Sequence, residues 1–101
     1  MSLFSKKKKR EADDNLQLIL RLDKRKIKYI TERNTQSYDE RVLGRSGVLN
    51  VKDGELIISC GNEVVLREPI ESIKAYELMN LSGVNLKVGG RVFIAYYTDK
   101  V

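Results

Sequence analysis

Cys60 is the one thiol in the chain, so it is the first residue to consider for covalent chemistry. Attack by a cysteine or serine normally needs a neighbouring base, and histidine, the commonest such base, is absent from all 101 residues. Cys60 also ends an apolar run, directly before Gly61. This setting is typical of a buried, inert cysteine, so the sequence predicts no catalytic nucleophile.

Carboxylates are the second group that could do chemistry. Pairs drawn from Glu63, Glu68, Glu71 and Glu77 would resemble the two acids of a glycosidase. Residues 11–101, however, hold as many basic as acidic side chains. Surface ion pairs therefore explain these glutamates better than an active site does.

Signals for metals and cofactors are also missing. A single cysteine without histidine excludes the usual zinc ligand sets. Asp13 with Asp14, and Asp39 with Glu40, could hold a hard cation loosely, but the spacing of a calcium loop is absent. The glycine spacings match neither a Walker loop nor a dinucleotide fingerprint. We therefore predict no catalytic residues, no metal and no cofactor, and so no enzyme.

Two neighbouring tyrosines, Tyr96 and Tyr97, lie in the last apolar run of the chain. Neighbouring residues of a strand point to opposite faces of a sheet, so one is expected in the core and the other on the surface or in an interface. A surface tyrosine can stack on a base or grip a peptide. Without surrounding arginine or lysine, the pair is poor evidence for binding of single-stranded nucleic acid.

Basic charge is concentrated near the N-terminus. The formal net charge is +5, and five consecutive positive side chains supply it: Lys6, Lys7, Lys8, Lys9 and Arg10. The remainder of the chain is neutral. Composition therefore predicts no basic face on the folded part.

Residues 1–12 are predicted to form a disordered basic tail, for which three interpretations stay open. The tail could be a solvated terminus. It could instead contact an anionic membrane, with Leu3 and Phe4 entering the interface, or bind nucleic acid without sequence preference. No apolar run is long enough to span a membrane, and a signal peptide is not indicated, so we expect a cytoplasmic protein.

Segment 13–44 is predicted to be helical, because it contains no proline and no glycine before Gly44. Four apolar residues recur at spacings that place them on one helical stripe: Leu16, Leu20, Ile27 and Ile30. A helix of this length would be longer than a globule of this size is wide. The stripe is therefore predicted to be an oligomer interface.

Two alternatives stay open for this segment. Leu16, Leu18, Leu20 and Leu22 alternate strictly, as they would in a half-buried strand. In addition, the poor helix formers that begin at Asn34 could break the helix, so that its stripe packs on its own sheet.

Segment 45–101 is predicted to be an antiparallel β domain, because apolar residues alternate and glycine-containing dipeptides separate them. Asp53-Gly54, Gly61-Asn62 and Gly89-Gly90 suit two-residue hairpin turns. Residues expected to supply the core are Leu56, Ile58, Cys60, Val65, Val84, Leu86, Val88, Phe93 and Ile94. The predicted fold is α+β: one compact domain in which an N-terminal helix covers a five- to six-stranded antiparallel sheet, such as a half-barrel meander.

The successive hairpins from Gly47 to Thr98, the segment Arg67 to Ile73 and the last strand from Val92 to Tyr97 resemble a small bacterial pleckstrin-homology-like domain. The resemblance implies two roughly orthogonal antiparallel sheets closed by a C-terminal helix, often in an oligomer. After Val101 no room is left for that helix, so we expect the N-terminal helix, in cis or from another subunit, to replace it. No lipid-binding motif of the group carries over.

Taken together, these features favour a non-enzymatic, self-associating binding or scaffold module. A small core and sheet edges that need cover both favour an oligomer. A protein partner is a further possibility. The alternative function is a peripheral tether, in which the basic tail binds anionic lipid or nucleic acid.

Overall fold

The computed structural model describes residues 14–98, which form one helix followed by seven strands. The helix, α1, covers residues 14–21. The strands are β1 (Lys26–Arg33), β2 (Glu40–Lys52), β3 (Glu55–Cys60), β4 (Glu63–Pro69), β5 (Ile73–Glu77), β6 (Gly83–Val88) and β7 (Arg91–Tyr97). A single 3-10 turn, Ile70–Ser72, joins β4 to β5.

All seven strands belong to one curled antiparallel sheet, a half-barrel, in the order β4-β3-β2-β1-β7-β6-β5. The first and last strands of the chain therefore lie at the centre of the sheet. The edges are β4 and β5, which follow each other in the sequence. The predicted α+β class is confirmed, with seven strands rather than five or six.

The helix is much shorter than the sequence predicts. It ends at residue 21, and the chain turns through Lys24, whose φ is +66°, before β1 begins at Lys26. Residues 16–21 are helical, which excludes the strand alternative for them. The segment after Lys24 forms β1 and the start of β2, because a run rich in isoleucine, tyrosine and threonine pairs with neighbours on both sides.

The predicted hairpin turns are present between β2 and β3, β3 and β4, and β6 and β7. Asp53 and Gly54 have φ values of +52° and +76°, and Gly61 and Gly89 have φ values of +64° and +60°. Left-handed backbone of this kind is what two-residue hairpins require. The dipeptide signals therefore located these turns correctly.

The core lies on the concave side of the sheet and takes residues from the helix and from every strand. Ile19 of α1 and Leu22, which directly follows the helix, are buried in this cluster, so this end of the chain packs against the core face of the sheet. The predicted core residues Leu56, Ile58, Val84, Leu86 and Phe93 are buried in this cluster, and Cys60, Val65 and Val88 pack against it. Ile94 is also buried, but on the opposite face of the sheet.

Candidate binding surfaces

The edge of β5 is covered by a side chain of the helix. Asn15 Nδ2 donates a hydrogen bond to the carbonyl of Ile73 (2.8 Å), and Asn15 Oδ1 accepts one from the backbone N–H of Ala75 (2.7 Å). At the other end of α1, Arg21 lies 3.9 Å from Glu77. The side-chain amide thus acts like one residue of a neighbouring strand, and it removes part of an edge on which another chain could pair.

The other edge, β4, carries residues that discourage strand pairing. It ends in Pro69, and a bulge interrupts its pairing with β3. Arg67 donates two hydrogen bonds to Glu55 Oε1, at 3.0 and 3.1 Å. Charge, proline and a bulge all disfavour addition of a further strand, so sheet extension is a poor route to an oligomer.

Leu16 and Leu20 form the exposed apolar flank of α1. They lie one turn apart and keep 38% and 44% of their surface accessible. The other two predicted interface residues, Ile27 and Ile30, lie in β1 and are 1% and 0% exposed in the chain's own core. The structure therefore does not bring the four together on one surface, and an interface stays a prediction for Leu16 and Leu20.

The outer face of the sheet is the face opposite the core cluster. Strand register places Tyr29 beside Tyr96, and Thr31 beside Ile94. Ile94 and Thr31 are only 1% and 3% exposed, although they lie on this face. Tyr97 points into the core and Tyr96 does not, as the alternation of a strand predicts.

Glu40 is the centre of a hydrogen-bonded network on the outer face. Its Oε1 accepts hydrogen bonds from Thr31 Oγ1 (2.7 Å) and Tyr96 Oη (2.8 Å), and its Oε2 lies 3.7 Å from Arg33. These bonds, that of Thr31 first, hold the pKa of Glu40 below its usual value, although burial opposes them. Burial and the bond to Glu40 raise the pKa of Tyr96 to about 12.

Tyrosine rings and cations alternate across the same face. The rings of Tyr29 and Tyr96 have centroids 4.7 Å apart, and the Arg45 guanidinium lies 5.9 Å from the Tyr29 ring. On β5, Tyr76 is 51% exposed, with Lys87 Nζ 5.5 Å from its ring. Cations at such distances are attracted by the face of an aromatic ring.

The outer face of β5, β6, β7, β1 and β2 is basic. Its cations include Lys26, Lys28, Arg33, Arg45, Lys74 and Lys87, which alternate along the strands with core residues. Among the described residues of these strands, Glu40 is the one carboxylate on this face. Glu32 and Glu77 lie on the core side, where they pair with Arg91 and Arg21. A chain whose body is neutral in sum therefore has a basic face that composition does not reveal.

A shallow cleft of about 610 Å³ lies at one end of the outer face. It is lined by Lys26, Ile27, Lys28, Ser46, Gly47, Val48, Ser59, Gly61 and Thr98. No carboxylate lines the cleft within residues 14–98, so it extends the basic surface across β1, β2 and β3.

The surroundings of Cys60 and Glu77 disfavour the covalent and acid-base chemistry that their residue types allow. Burial raises the pKa of the Cys60 thiol, which disfavours the reactive thiolate. Glu77 is paired with Arg21. Within residues 14–98, no group of three or more cysteine, aspartate or glutamate residues could hold a metal ion. The predicted tail residues, Lys6 to Arg10, lie outside the described residues.

The fold is thus that of an α+β protein with a half-barrel sheet, one face of which holds the core and the other a basic, tyrosine-bearing surface. No protein-family model, curated protein or solved structure that was compared with the chain matches it. Within residues 14–98, no helix has the length and apolar character needed to cross a membrane.

Proposed function

We propose that this protein is a non-enzymatic binding module that self-associates through the exposed flank of α1. The observation that carries the proposal is the exposure of Leu16 and Leu20 on a helix whose opposite side is buried in the core. Two leucines one turn apart can form the apolar centre of a helix-to-helix contact between two copies. A copy of the same chain is the natural partner, because a two-fold contact brings both leucine pairs together.

Both edges of the sheet are protected against strand pairing, which also favours self-association through α1. Asn15 covers part of β5, while Pro69 and the Arg67–Glu55 pair protect β4. The exposed leucines of α1 are then the better candidate for contact between subunits. As part of the proposal, we retain the resemblance to pleckstrin-homology-like domains and the cytoplasm as compartment.

The test is the mass of the full-length protein, measured by light scattering behind a sizing column at two concentrations. We expect a dimer or larger assembly, and the double variant Leu16→Ser, Leu20→Ser should shift it to the monomer. Leu81→Ser is the matched control, because Leu81 is a loop leucine that is 53% exposed. A monomeric wild-type protein at micromolar concentration, or an assembly that survives the double substitution, would overturn the proposal.

A further inference from the structure

The outer face of the sheet carries several cations but few exposed apolar side chains. Of the large apolar side chains on the outer face of β5, β6, β7, β1 and β2, Val42 and Tyr76 are the exposed ones, at 42% and 51%. A surface that entered a lipid bilayer would instead present protruding leucine, phenylalanine or tryptophan side chains. The cations therefore suit a hydrated polyanion better than a membrane.

Tyrosine rings give this surface a second way to bind a ligand, which charge alone does not provide. Tyr29 and Tyr96 lie in the two central strands, and Tyr76 lies two strands from β7, about 10 Å away at the usual spacing of strands. Every nucleic-acid base has a π-face, so such rings can bind bases without reading their sequence. Bases are accessible in this way in a single strand, but they are hidden inside a duplex.

Within residues 14–98, Glu40 is the one carboxylate on the outer face of β5, β6, β7, β1 and β2, and it does not prevent approach of a polyanion. Glu40 accepts hydrogen bonds from Thr31 and Tyr96 and lies beside Arg33, so much of its charge is compensated within the protein. The bond from Tyr96 also fixes the ring that packs against Tyr29. The tyrosine pair is thus already held in place before any ligand binds, which lowers the entropic cost of binding.

We propose that the outer face of β5, β6, β7, β1 and β2 binds single-stranded nucleic acid. Tyr29, Tyr76 and Tyr96 stack on bases, and the lysines and arginines between them contact phosphates. The cleft beside Lys26 and Lys28 extends this path beyond the tyrosines. This surface lies on the opposite side of the sheet from α1, so the proposal is independent of self-association.

The experiment is a titration of the full-length protein with a labelled deoxythymidine oligonucleotide at low salt, followed by fluorescence anisotropy. Because the chain contains no tryptophan, its own emission comes from tyrosine, and stacking should quench it. We expect Tyr76→Leu to weaken binding by at least about fivefold, the lower end for loss of one stacked base. Tyr38→Leu is the matched control, since Tyr38 is 74% exposed in the β1–β2 loop. The affinity of the Tyr38→Leu variant for the oligonucleotide should equal that of the wild type.

Charge variants distinguish the sheet from the N-terminal tail. The double variant Lys74→Gln, Lys87→Gln should make the plot of log affinity against log salt concentration less steep. The slope should fall by about 1.4, as expected for two lost phosphate contacts with a single strand. The matched double variant Lys8→Gln, Lys9→Gln should leave the tyrosine quenching in place. Absence of binding at low salt, or equal affinities for Tyr76→Leu and Tyr38→Leu, would overturn the proposal. So would tighter binding to the matching duplex, or to phosphatidylserine vesicles, than to the single strand.

Discussion

Tyr96 and Glu40 are joined by a 2.8 Å hydrogen bond across a strand that belongs to neither of them. Tyr96 lies in β7 and Glu40 opens β2, with β1 between the two strands. Thr31, in β1, donates to the same carboxylate oxygen at 2.7 Å. Residues from three strands at the centre of the sheet therefore meet at one carboxylate, whose two hydrogen bonds hold the side chains of Thr31 and Tyr96 in place on the outer face.

Glu40 makes the stability of the protein depend on pH in the acidic range. Its pKa in the folded protein is lowered from 4.5, so its stabilising effect is complete above that value and is lost as the pH falls through the lower, folded value. Glu40→Gln should weaken the increase in unfolding free energy between acidic and neutral pH. Urea unfolding at a series of pH values measures this dependence of the unfolding free energy on pH. Glu71→Gln, at an exposed position of the 3-10 turn, is the control. Equal pH profiles for Glu40→Gln and the wild type would contradict the assignment.

Asn15 should stabilise the protein far more than its polar, helical position suggests. Asn15→Ala removes two hydrogen bonds to β5 and leaves the backbone N–H of Ala75 without its partner. We expect a loss of about 1–3 kcal/mol in the free energy of unfolding, measured by chemical denaturation. Gln17→Ala, at an exposed position of the same helix, should change it by less than about 0.5 kcal/mol. Similar losses in the two variants would show that the edge of β5 does not depend on Asn15.

Gly47 is required by the close approach of β2 to β3. A Cβ at this position would lie 2.6 Å from both Cys60 Sγ and the backbone oxygen of Ser59. Gly47→Ala should therefore lower the free energy of unfolding by about 1–3 kcal/mol, as other overpacked substitutions do. At Gly90 a Cβ would meet nothing within 4 Å, so Gly90→Ala should change stability by less than about 1 kcal/mol. Thermal unfolding of the two variants gives the comparison, and equal midpoints would argue against the close contact.

The hairpins could be predicted from sequence because their signal is local. A dipeptide such as Asp53-Gly54 supplies the left-handed backbone that the turn needs, whatever the rest of the chain does. The alternation that follows each turn then identifies the strands. The same locality explains why Tyr96 and Tyr97 could be placed on opposite faces without knowledge of the sheet order.

The sequence predicts too long a helix for a specific physical reason. Ile27 and Ile30 are three residues apart, a spacing that indicates a helix, and in a regular strand they would face opposite sides. A pairing irregularity between Ile27 and Tyr29 in the ladder with β7 changes the alternation, and both isoleucines are buried. The bulge is a tertiary feature, so the period of three that it produces cannot be distinguished from a helical period in the sequence.

The basic outer face could not be predicted from composition for a similar reason. Lys74 and Lys87 are distant in the sequence from Arg33 and Arg45, and their shared face depends on strand order and register. A one-residue change of register would reverse the face of every side chain in a strand. A count of charged residues therefore gives the net charge of the molecule but not the distribution of that charge over its surface.

The central position of β1 and β7 also determines when the protein can fold during synthesis. Ile27 pairs with Tyr97 and Arg33 with Val92, so the middle of the sheet joins nearly the whole length of the described chain. Until β7 has left the ribosome, β1 has a partner on one side only, and an open edge of isoleucine and tyrosine is accessible to other nascent chains. Such distant pairing slows folding relative to a meander with local contacts. A chain truncated before β7 would therefore lose more than its last strand, because the strand at the centre of the sheet would become an edge.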